Sequence, residues 1–462
     1  MFAAKKLQGA GGTIVTGGDP DFSSVSFLSH FDGANNGVNN VFDDGSTNNY
    51  TVIANGDVTQ GSFGPFAVAT KEPYDPAVNG ASAYFDGAGD YATLPANSQD
   101  LGSGNFTIEA WVYTPSTAQQ CVVGAVTNGN GVGSWMFNLN NGSQLRFFCR
   151  YNGGTVLDYN AGSGTMTTNS WNHIAVTRDG ANLRAFKNGV QLGATNTTLG
   201  SFAIDTASVN GGIYYIGRTT DAASNFNGYI SNLRIVKGTA LYTSTFTPPT
   251  APLTAIASTS LLLNMADAQA IDSAAKNDLT LYGNAKISST QSKFGGTSMA
   301  LDGTGDYLQV LGTMPTLSAN FTIEFWYYQN TTRTYGSLFT TVYSYATANS
   351  LRISTGANNN TLQAASGGAG IVNSNTAFSN TTWLYIALVR SGSTMTLYQN
   401  GVSVGSATNT QSFISSDFTI GDASGAGSPY YLDGYIDDFR ITNGVARYTS
   451  NFTPPTEPFL DF

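Results

Sequence analysis

Apolar and polar residues alternate one by one along most segments of this 462-residue chain that are not rich in turn-forming residues. In the segment 106–113, Phe106, Ile108 and Ala110 would point to one side of a strand, and the residues between them to the other. The segment 321–327 repeats this pattern. A period of two is that of a β-strand, and no window of a dozen residues shows sustained helical periodicity. The pattern therefore predicts an all-β protein.

Asn-Gly pairs lie between alternating segments at two places, Asn188-Gly189 and Asn400-Gly401. This dipeptide is a strong hairpin signal, because both central residues of a type I′ turn need a positive φ. Turn-forming residues recur at the spacing that is typical of sandwiches and barrels, roughly every 8 to 12 residues. We therefore predict short antiparallel strands in two packed sheets, an arrangement of the jelly-roll type.

The same series of motifs occurs twice along the chain. Residues 85–91, FDGAGDY, return as LDGTGDY at 301–307, and NFTIEAW at 105–111 returns as NFTIEFW at 320–326. A repeat of this length is a whole domain used twice rather than one unit of a solenoid. The predicted division is an N-terminal extended arm at 1–22, a first sandwich at 23–254 (copy one) and a second sandwich at 255–462 (copy two).

The predicted arm is rich in glycine and carries Lys5, Lys6 and Leu7. One interpretation is a disordered tail. The other is an arm that binds another protein through Lys5, Lys6 and Leu7. In the second case, deletion of residues 1–20 should leave both sandwiches folded and abolish the attachment.

The net charge is −10, and charged residues make up only 10% of the chain. Lysines and arginines form no cluster large enough to follow a phosphate backbone, so nucleic acid is not an expected partner. The N-terminus has no apolar stretch after its lysines, and no segment is apolar enough to span a membrane. We therefore expect a protein without a signal peptide and without a membrane span.

Catalytic residue sets are sparse in this sequence. The four glutamates stand apart at 72, 109, 324 and 457, whereas a glycosidase needs two closely placed carboxylates. Neither His30 nor His173 has a partner at the spacing of a nucleophile or a zinc ligand. We predict no enzymatic activity, and we expect Glu109 and Glu324 to be strand carboxylates that pair with an arginine or a backbone amide.

Six motifs in the same order, twice, resemble the laminin G-like, concanavalin A-like jelly-roll superfamily. They are the opening strand (25–32 and 260–267), the Asp-Gly turn (85–91 and 301–307), the Phe-Thr-Ile-Glu strand (106–111 and 321–326), the Trp-x-x-Ile-Ala strand (171–178 and 383–390), the Asn-Gly hairpin and the closing Gly-Tyr-Ile strand (228–235 and 434–441). The resemblance implies two antiparallel β-sandwich domains of the concanavalin A-like jelly-roll type in tandem.

The closing segments at 234–249 and 440–455 are similar to those of domains carried on the capsids or tails of tailed bacteriophages. This likeness implies a non-enzymatic virion structural protein, a capsid decoration or a tail-associated fibre or adhesion protein. It would be assembled in the host cytoplasm and lie on the virion surface. Other virion proteins, host or environmental glycans and further copies of the chain are then the expected partners. The alternatives are a glycan-binding accessory module of a carbohydrate-active enzyme, or a cellular adhesin.

Calcium is the one cofactor that the resemblance implies, since relatives that bind it do so where the opening and closing strands meet. Calcium takes six to eight oxygen ligands, and carboxylates in Gly-rich turns supply them. The expected ligands in copy two are Asp267, Asp302, Asp306, Asp437 and Asp438. A weaker set in copy one is Asp32, Asp86 and Asp90. The alternative is that these aspartates are turn formers whose side chains accept hydrogen bonds from local amides.

Glycan binding would require aromatic rings on an exposed surface, where they can stack on sugars. The candidates are Tyr214, Tyr215, Tyr430, Tyr431, Trp135 and Tyr335. Aromatic residues make up 12% of the chain, however, and most of them must lie in cores or on sheet faces. Each of these rings therefore has a structural alternative.

Overall fold

A computed structural model describes residues 19–460, apart from 35, 45–46, 67–75, 126–134, 143, 152–153, 205–211, 221, 269–277, 312–314, 345, 358–359, 416–417 and 424–429. In this part of the chain the structure has 30 strands, numbered here β1 to β30 in chain order, a 3-10 turn at Phe22–Ser24 and a four-residue helix at Pro76–Asn79. The prediction of an all-β fold is confirmed. Of the described helices, neither is long and apolar enough to cross a membrane.

The first sandwich consists of two antiparallel sheets. Its larger sheet has the order β13 (Val190–Asn196), β12 (Asn182–Lys187), β11 (Asn172–Asp179), β6 (Phe106–Tyr113), β15 (Asn227–Lys237), β4 (Ser82–Asp86) and β3 (Thr59–Gly61), with β16 (Thr259–Leu263) beside β15. Its smaller sheet has the order β10 (Gly154–Thr165), β9 (Gln144–Tyr151), β8 (Trp135–Asn140), β7 (Gln120–Gly124), β14 (Tyr214–Ile216), β5 (Tyr91–Leu94) and β2 (Ile53–Asn55).

The second sandwich repeats this arrangement. Its larger sheet has the order β18 (Lys286–Ser288), β19 (Ser298–Asp302), β30 (Asp433–Asn443), β21 (Phe321–Gln329), β26 (Trp383–Ser391), β27 (Thr394–Gln399) and β28 (Val402–Thr408), with β1 (Val25–Ser29) beside β30. Its smaller sheet has the order β17 (Asp278–Tyr282), β20 (Tyr307–Leu311), β29 (Thr419–Ile420), β22 (Ser337–Thr340), β23 (Arg352–Thr355), β24 (Leu362–Ser366) and β25 (Ala369–Asn373).

The predicted alternation separates inner from outer residues. Phe106, Ile108 and Ala110 of β6 belong to the core of the first sandwich, as the pattern of the strand requires. Phe321 and Ile323 of β21 hold the same places in the core of the second sandwich. The outer faces of all four sheets are left for polar and aromatic side chains.

The Asn-Gly turns have the predicted positive φ angles, 47° at Asn188 and 78° at Gly189. A Cβ atom at Gly189 would lie 1.8 Å from the carbonyl oxygen of Phe246, so only glycine fits there. The Gly189 carbonyl in turn accepts a hydrogen bond from the Phe246 amide at 2.9 Å. The segment around Phe246 therefore packs on the hairpin of its own sandwich.

The opening strands differ from the prediction, because each one lies in the sandwich of the other copy. β1 pairs antiparallel with β30, in the register Phe27 with Ile441 and Ser29 with Phe439. β16 pairs with β15, with Leu261 opposite Ile235. The predicted limits 23–254 and 255–462 are therefore wrong: the first sandwich includes β16, and the second includes β1.

Side chains at the exchanged strands complement the sandwich they join. His30 Nδ1 lies 2.5 Å from Asp438 Oδ1. The two registers place Asn264 and Asn232 of the first sandwich at the positions of His30 and Asp438. Asp438 therefore faces His30 only in the exchanged pairing, because pairing within each copy would place Asn264 beside it. Size matches as well, since small Ser29 stands opposite large Phe439.

The loops after the exchanged strands divide between the sandwiches in the same way. The Asn36 amide donates to the Ile287 carbonyl at 2.8 Å, next to β18 of the second sandwich. The Asn39 carbonyl, three residues later, accepts from the Gln60 amide of the first sandwich at 2.9 Å. The chain therefore crosses from the second sandwich to the first between Val38 and Asn39.

Candidate functional site

The Asp-Gly turns are held by one buried carboxylate each. Asp90 is 1% exposed, and its two oxygens accept hydrogen bonds from the amides of Asp57, at 2.8 Å, and Asp86, at 3.0 Å. In the second sandwich, Asp306 accepts in the same way from the amides of Asn284 and Asp302. These aspartates organise their turns, as the alternative interpretation predicted.

Of the acidic and metal-ligating side chains in the described ranges, only Asp57, Asp86 and Asp90 bring three ligand atoms within 4.8 Å of one another. Burial raises the pKa of Asp90 to about 7, and the neighbouring Asp57 adds to the rise. Calcium fits the oxygen chemistry of this group, although three carboxylates supply only part of the six to eight oxygens it requires. The group lies in the first sandwich, whereas the sequence favoured copy two.

The five aspartates expected to share one calcium lie in three places. Asp302 and Asp306 hold the turn after β19, while Asp437 accepts from the amides of Lys293 and Phe294. Asp302 stands opposite Asp433 in the sheet, and Asp437 lies four residues further along β30, about 13 Å away at the rise of a strand.

Asp438 lies next to Asp437, and Asp267, the last expected ligand, lies in a third place. Asp438 binds His30 and accepts from the Phe459 amide at 2.9 Å. Asp267 accepts a hydrogen bond from the Asp43 amide at 3.0 Å, beside the first sandwich. A single site made of all five is therefore not formed, because the strand exchange carries Asp267 away from the second sandwich.

The two strand glutamates pair with arginines, as predicted. Glu109 and Glu324 are both fully buried. Glu109 Oε1 accepts from Arg234 Nε at 2.9 Å, and Glu324 Oε1 accepts from Arg440 Nε at 2.9 Å. Burial opposes ionisation of Glu109, but the hydrogen bond from His173 and the charge of Arg234 hold its pKa below the usual value.

Two of the rings proposed for glycan binding are core residues. Trp135 and Tyr214 are fully buried in the first sandwich. The Trp135 indole donates to the Gln99 carbonyl at 3.0 Å, and the Tyr214 hydroxyl donates to Asp100 at 3.0 Å. Neither ring is available to a sugar, so this part of the prediction is wrong. The strand period showed alternation, but it did not show which face was inside.

The other four proposed rings lie on or near outer surfaces. Tyr215 alternates with core residues of β14 and so lies on the outer face of its sheet, although it is only 7% exposed. Tyr335, Tyr430 and Tyr431 are half-buried in the second sandwich. The guanidinium carbon of Arg352 lies 5.1 Å from the centroid of the Tyr430 ring and 5.9 Å from that of Tyr335.

The second sandwich has a polar cleft of about 640 Å³ beside its Asp-Gly turn. Its lining residues include Asn284, Lys286, Ala300, Asp302, Asp306, Asn330, Asp433 and Tyr435. Asp433 accepts a hydrogen bond from Asn330 Nδ2 at 2.9 Å, which orients both groups. Val38, from the segment that follows β1, also lines the cleft.

One substitution between the copies opens this space. Ala300 stands opposite Tyr435 in the sheet, whereas Tyr84 stands opposite Tyr229 in the first sandwich. The ring of Tyr84 packs on that of Tyr229 with 5.0 Å between the centroids. Alanine at 300 leaves the corresponding place beside Tyr435 empty.

Tyr435 is part of an aromatic group that both sandwiches repeat on the outer face of the larger sheet. The Tyr328 ring lies 5.5 Å from Trp383 and 5.8 Å from Tyr435. The corresponding group of the first sandwich is Tyr113, Trp171 and Tyr229, with Phe63 and Tyr84 packed against it. Sequence reasoning missed these rings, although their recurrence in both copies on the polar side of predicted strands was a usable signal.

The family of the chain follows from its sequence as well as its fold. Residues 85–241 and 302–447, more than half of the chain, match the family Laminin_G_3, described as the concanavalin A-like lectin/glucanases superfamily. The chain belongs to this family and contains two of its domains. No curated protein sequence matches the chain.

Solved structures with a similar fold come from several kinds of protein. Domain 4 of the arabinanase AbnA from Geobacillus stearothermophilus, solved with arabinotriose, is 18% identical over 38% of this chain and 87% of its own, with a TM-score of 0.31. Domains LG4-5 of the mouse laminin α1 chain are 13% identical over 85% of this chain and 98% of their own, with a TM-score of 0.28. At these values the likeness concerns the fold alone.

Proposed function

We propose that the chain binds glycans without acting on them, and that the cleft beside Tyr435 is the binding site. The observation that carries this proposal is the combination of a half-buried tyrosine with amides and carboxylates around one open cleft. Sugars present apolar ring faces together with hydroxyl groups. A tyrosine ring packs on the former, while Asn330 and Asp433 can exchange hydrogen bonds with the latter. The family, whose description includes lectins, supports the same class of ligand.

The carboxylates of the cleft are placed for binding rather than for acid-base work. Both oxygens of Asp306 already accept backbone amides, and Asp302 accepts from the Thr304 amide at 2.8 Å. Asp433 accepts from Asn330 and Thr331. A glycosidase would need one carboxyl free to protonate the leaving oxygen and a second to attack or to activate water.

A glycan array probed with the whole chain and with Tyr435→Ala tests this proposal. The wild type should bind a defined subset of neutral oligosaccharides, and Y435A should lose about 2- to 12-fold in affinity, because ring stacking contributes about 0.5 to 1.5 kcal/mol. The matched control is Tyr229→Ala, which removes the counterpart ring where Tyr84 fills the space. Equal losses in both variants, or release of reducing ends from a bound glycan, would contradict the proposal.

We further propose that this glycan-binding chain is a structural protein on the surface of a virion, assembled in the host cytoplasm. The support is the likeness of the closing segments at 234–249 and 440–455 to domains of tailed bacteriophages. Its partners would be capsid or tail proteins and further copies of the chain. Mass spectrometry of purified virions should find the chain, and its absence from particles would contradict the proposal.

Attachment through the arm is part of the same proposal. Lys5, Lys6 and Leu7 lie outside the described residues. The structure changes the test, because Asp19 is buried and accepts from Arg440 and Arg447. The deletion that tests the arm should therefore remove residues 1–18 and keep Asp19. The shortened protein is expected to keep its melting temperature and to lose association with particles; retained association would place the attachment in the sandwiches.

A further inference from the structure

The outer face of the smaller sheet in the first sandwich carries an arginine stacked on two tyrosines. Ala92 of β5 and Ile216 of β14 belong to the hydrophobic core. Tyr91 and Tyr215 alternate with them and therefore lie on the outer face. Arg218 follows β14, and its guanidinium carbon lies 3.4 Å from the ring centroid of Tyr91 and 5.0 Å from that of Tyr215.

Among the residues that the structure describes, no carboxylate pairs with Arg218. Within the described ranges this side chain forms no ion pair, and its Nε atom is buried without a hydrogen-bond partner. Arg146, on the same sheet, shows the contrast: it binds Asp158 through two hydrogen bonds of 2.7 and 2.9 Å. Stacking on the rings fixes the plane of the Arg218 guanidinium, so its remaining N–H groups present a rigid, positively charged donor fork.

Two further arginines lie on the same outer face. Arg146 and Arg150 alternate with core residues of β9 and so lie on this outer face, where Asp158 of β10 is the acidic partner of Arg146. The whole chain, in contrast, carries a net charge of −10. The acidic group of Asp57, Asp86 and Asp90 lies just before Tyr91, so the charge around the stack is mixed and the attraction for an anion comes from the Arg218 guanidinium itself.

The second sandwich has no arginine at the position equivalent to Arg218. Gly217 and Gly421 occupy equivalent places after β14 and β29, and the next residue is Arg218 in one copy and Asp422 in the other. Asp422 is fully buried. Because the duplicate has a carboxylate where the first sandwich has a guanidinium, the fold itself does not require an arginine at this position.

We propose that Arg218, Tyr91 and Tyr215 form a second sugar subsite, specific to an acidic sugar unit that carries a carboxylate or a sulfate ester. The guanidinium fork binds two oxygens of the anionic group, which is the geometry that arginine offers to carboxylate and sulfate-like anions. The tyrosines hold the fork in place and give the sugar ring an apolar neighbour. This subsite is separate from the cleft at Tyr435 and does not depend on it.

Calorimetric titration of the full chain with three oligosaccharides of equal length tests the proposal: an oligoglucuronate, a sulfated neutral oligosaccharide and its unsulfated form. At least one acidic probe should bind, and Arg218→Gln should weaken it about 10- to 100-fold, the loss expected for a charge-assisted hydrogen bond. Arg218→Lys keeps the charge but not the fork and should give an intermediate loss. The carboxylated and sulfated arms distinguish the two anions.

Two controls make the result decisive. Arg184→Gln removes the same charge from the larger sheet of the same sandwich, where Arg184 lies 3.7 Å from Asp179, and should leave acidic binding unchanged. Tyr435→Ala should also leave acidic binding unchanged. The proposal for the cleft and the proposal for this subsite can therefore fail independently of each other. Equal losses in R184Q and R218Q, equal binding of acidic and neutral probes, or no binding of either acidic probe at millimolar concentration would overturn the proposal.

Discussion

Glu109 and Glu324 hold equivalent buried positions in the two sandwiches, but their hydrogen-bond partners differ. Glu109 binds Arg234 and His173, while Glu324 binds Arg440 and the hydroxyl of Tyr385. In both sandwiches the glutamate links its own strand to the closing strand through an arginine. The histidine and the tyrosine are interchangeable donors, which explains why the duplication tolerates their exchange.

Removal of the Glu324 charge should destabilise the second sandwich strongly. Glu324→Gln removes one of the two carboxylates that pair with buried Arg440 and leaves Asp19 as the other, and the expected loss in free energy of unfolding is about 3 kcal/mol. Chemical denaturation followed by tryptophan fluorescence measures it. Glu457→Gln is the matched control, because Glu457 is exposed and should change little. A loss below about 1 kcal/mol in E324Q would contradict the buried network.

Acidic pH should stabilise the protein near Asp437. Burial raises the pKa of Asp437 to about 7 with a smaller contribution from the charge of Asp438, while the amide hydrogen bonds from Phe294 and Lys293 oppose the rise. A raised carboxyl pKa means that the folded state holds a proton that the unfolded chain releases, so stability falls as pH rises from about 4 to 7. Melting temperatures measured between pH 5.5 and 8 should therefore depend less on pH in Asp437→Asn. An unchanged slope would show that Asp437 is not responsible.

Residue chemistry was predicted better than residue placement. The pairing of Glu109 and Glu324 with arginines followed from a lone carboxylate in an apolar strand, which has to find a partner. The burial of Trp135 did not follow, because alternation gives two faces but only packing decides which face is inside. The cleft depends on Ala300, and its small side chain could be linked to the cleft only once the structure placed it opposite Tyr435.

At the scale of elements, the exchange of opening strands is the feature that sequence reasoning did not predict. β15 and β30 carry the same Arg-Ile sequence, so backbone pairing alone suits either strand. The choice is made by side chains that lie far apart in the sequence: His30 meets Asp438, and Phe27 packs edge-on against Phe418 with 5.2 Å between centroids. These side-chain contacts can be recognised in the sequence only after the strand pairing is known.

Substitution of His30 should therefore weaken the second sandwich although the residue precedes the first. His30→Ala removes the partner of buried Asp438 and should speed hydrogen exchange of backbone amides in β30 by about tenfold or more, without effect on β15. Hydrogen exchange with mass spectrometry resolves the two strands. Asn264→Ala at the counterpart position is the control and should leave β30 unchanged. Faster exchange in β15 instead would support pairing within each copy.

At the scale of the whole molecule, the exchange moves the boundary between folding units. The first sandwich is continuous from about Asn39 to the end of β16, whereas the second combines the N-terminal segment with the C-terminal half. The predicted count of two sandwiches and their fold are correct. Their limits were misplaced because motif order along a chain does not reveal which strands share a sheet.

Two fragments distinguish these limits directly. A fragment of residues 39–268 contains all the strands of the first sandwich and should unfold cooperatively. A fragment of residues 23–254 lacks β16, exposes the acceptor edge of β15 and carries β1 without its partner. It should have a lower melting temperature and a stronger tendency to associate. Calorimetry and light scattering compare them, and greater stability of the 23–254 fragment would contradict the exchange.

The exchanged strands also impose an order on synthesis. β1 leaves the ribosome before the first sandwich is made, but β30, its partner, is made only after it. The first sandwich is complete once β16 has emerged and can fold while the chain is still growing. Until β30 has been made, the apolar residues from Val25 to Phe31 have no permanent partner, so the second sandwich closes only after β30 has emerged. Truncated products of translation would therefore lack the second sandwich and its cleft.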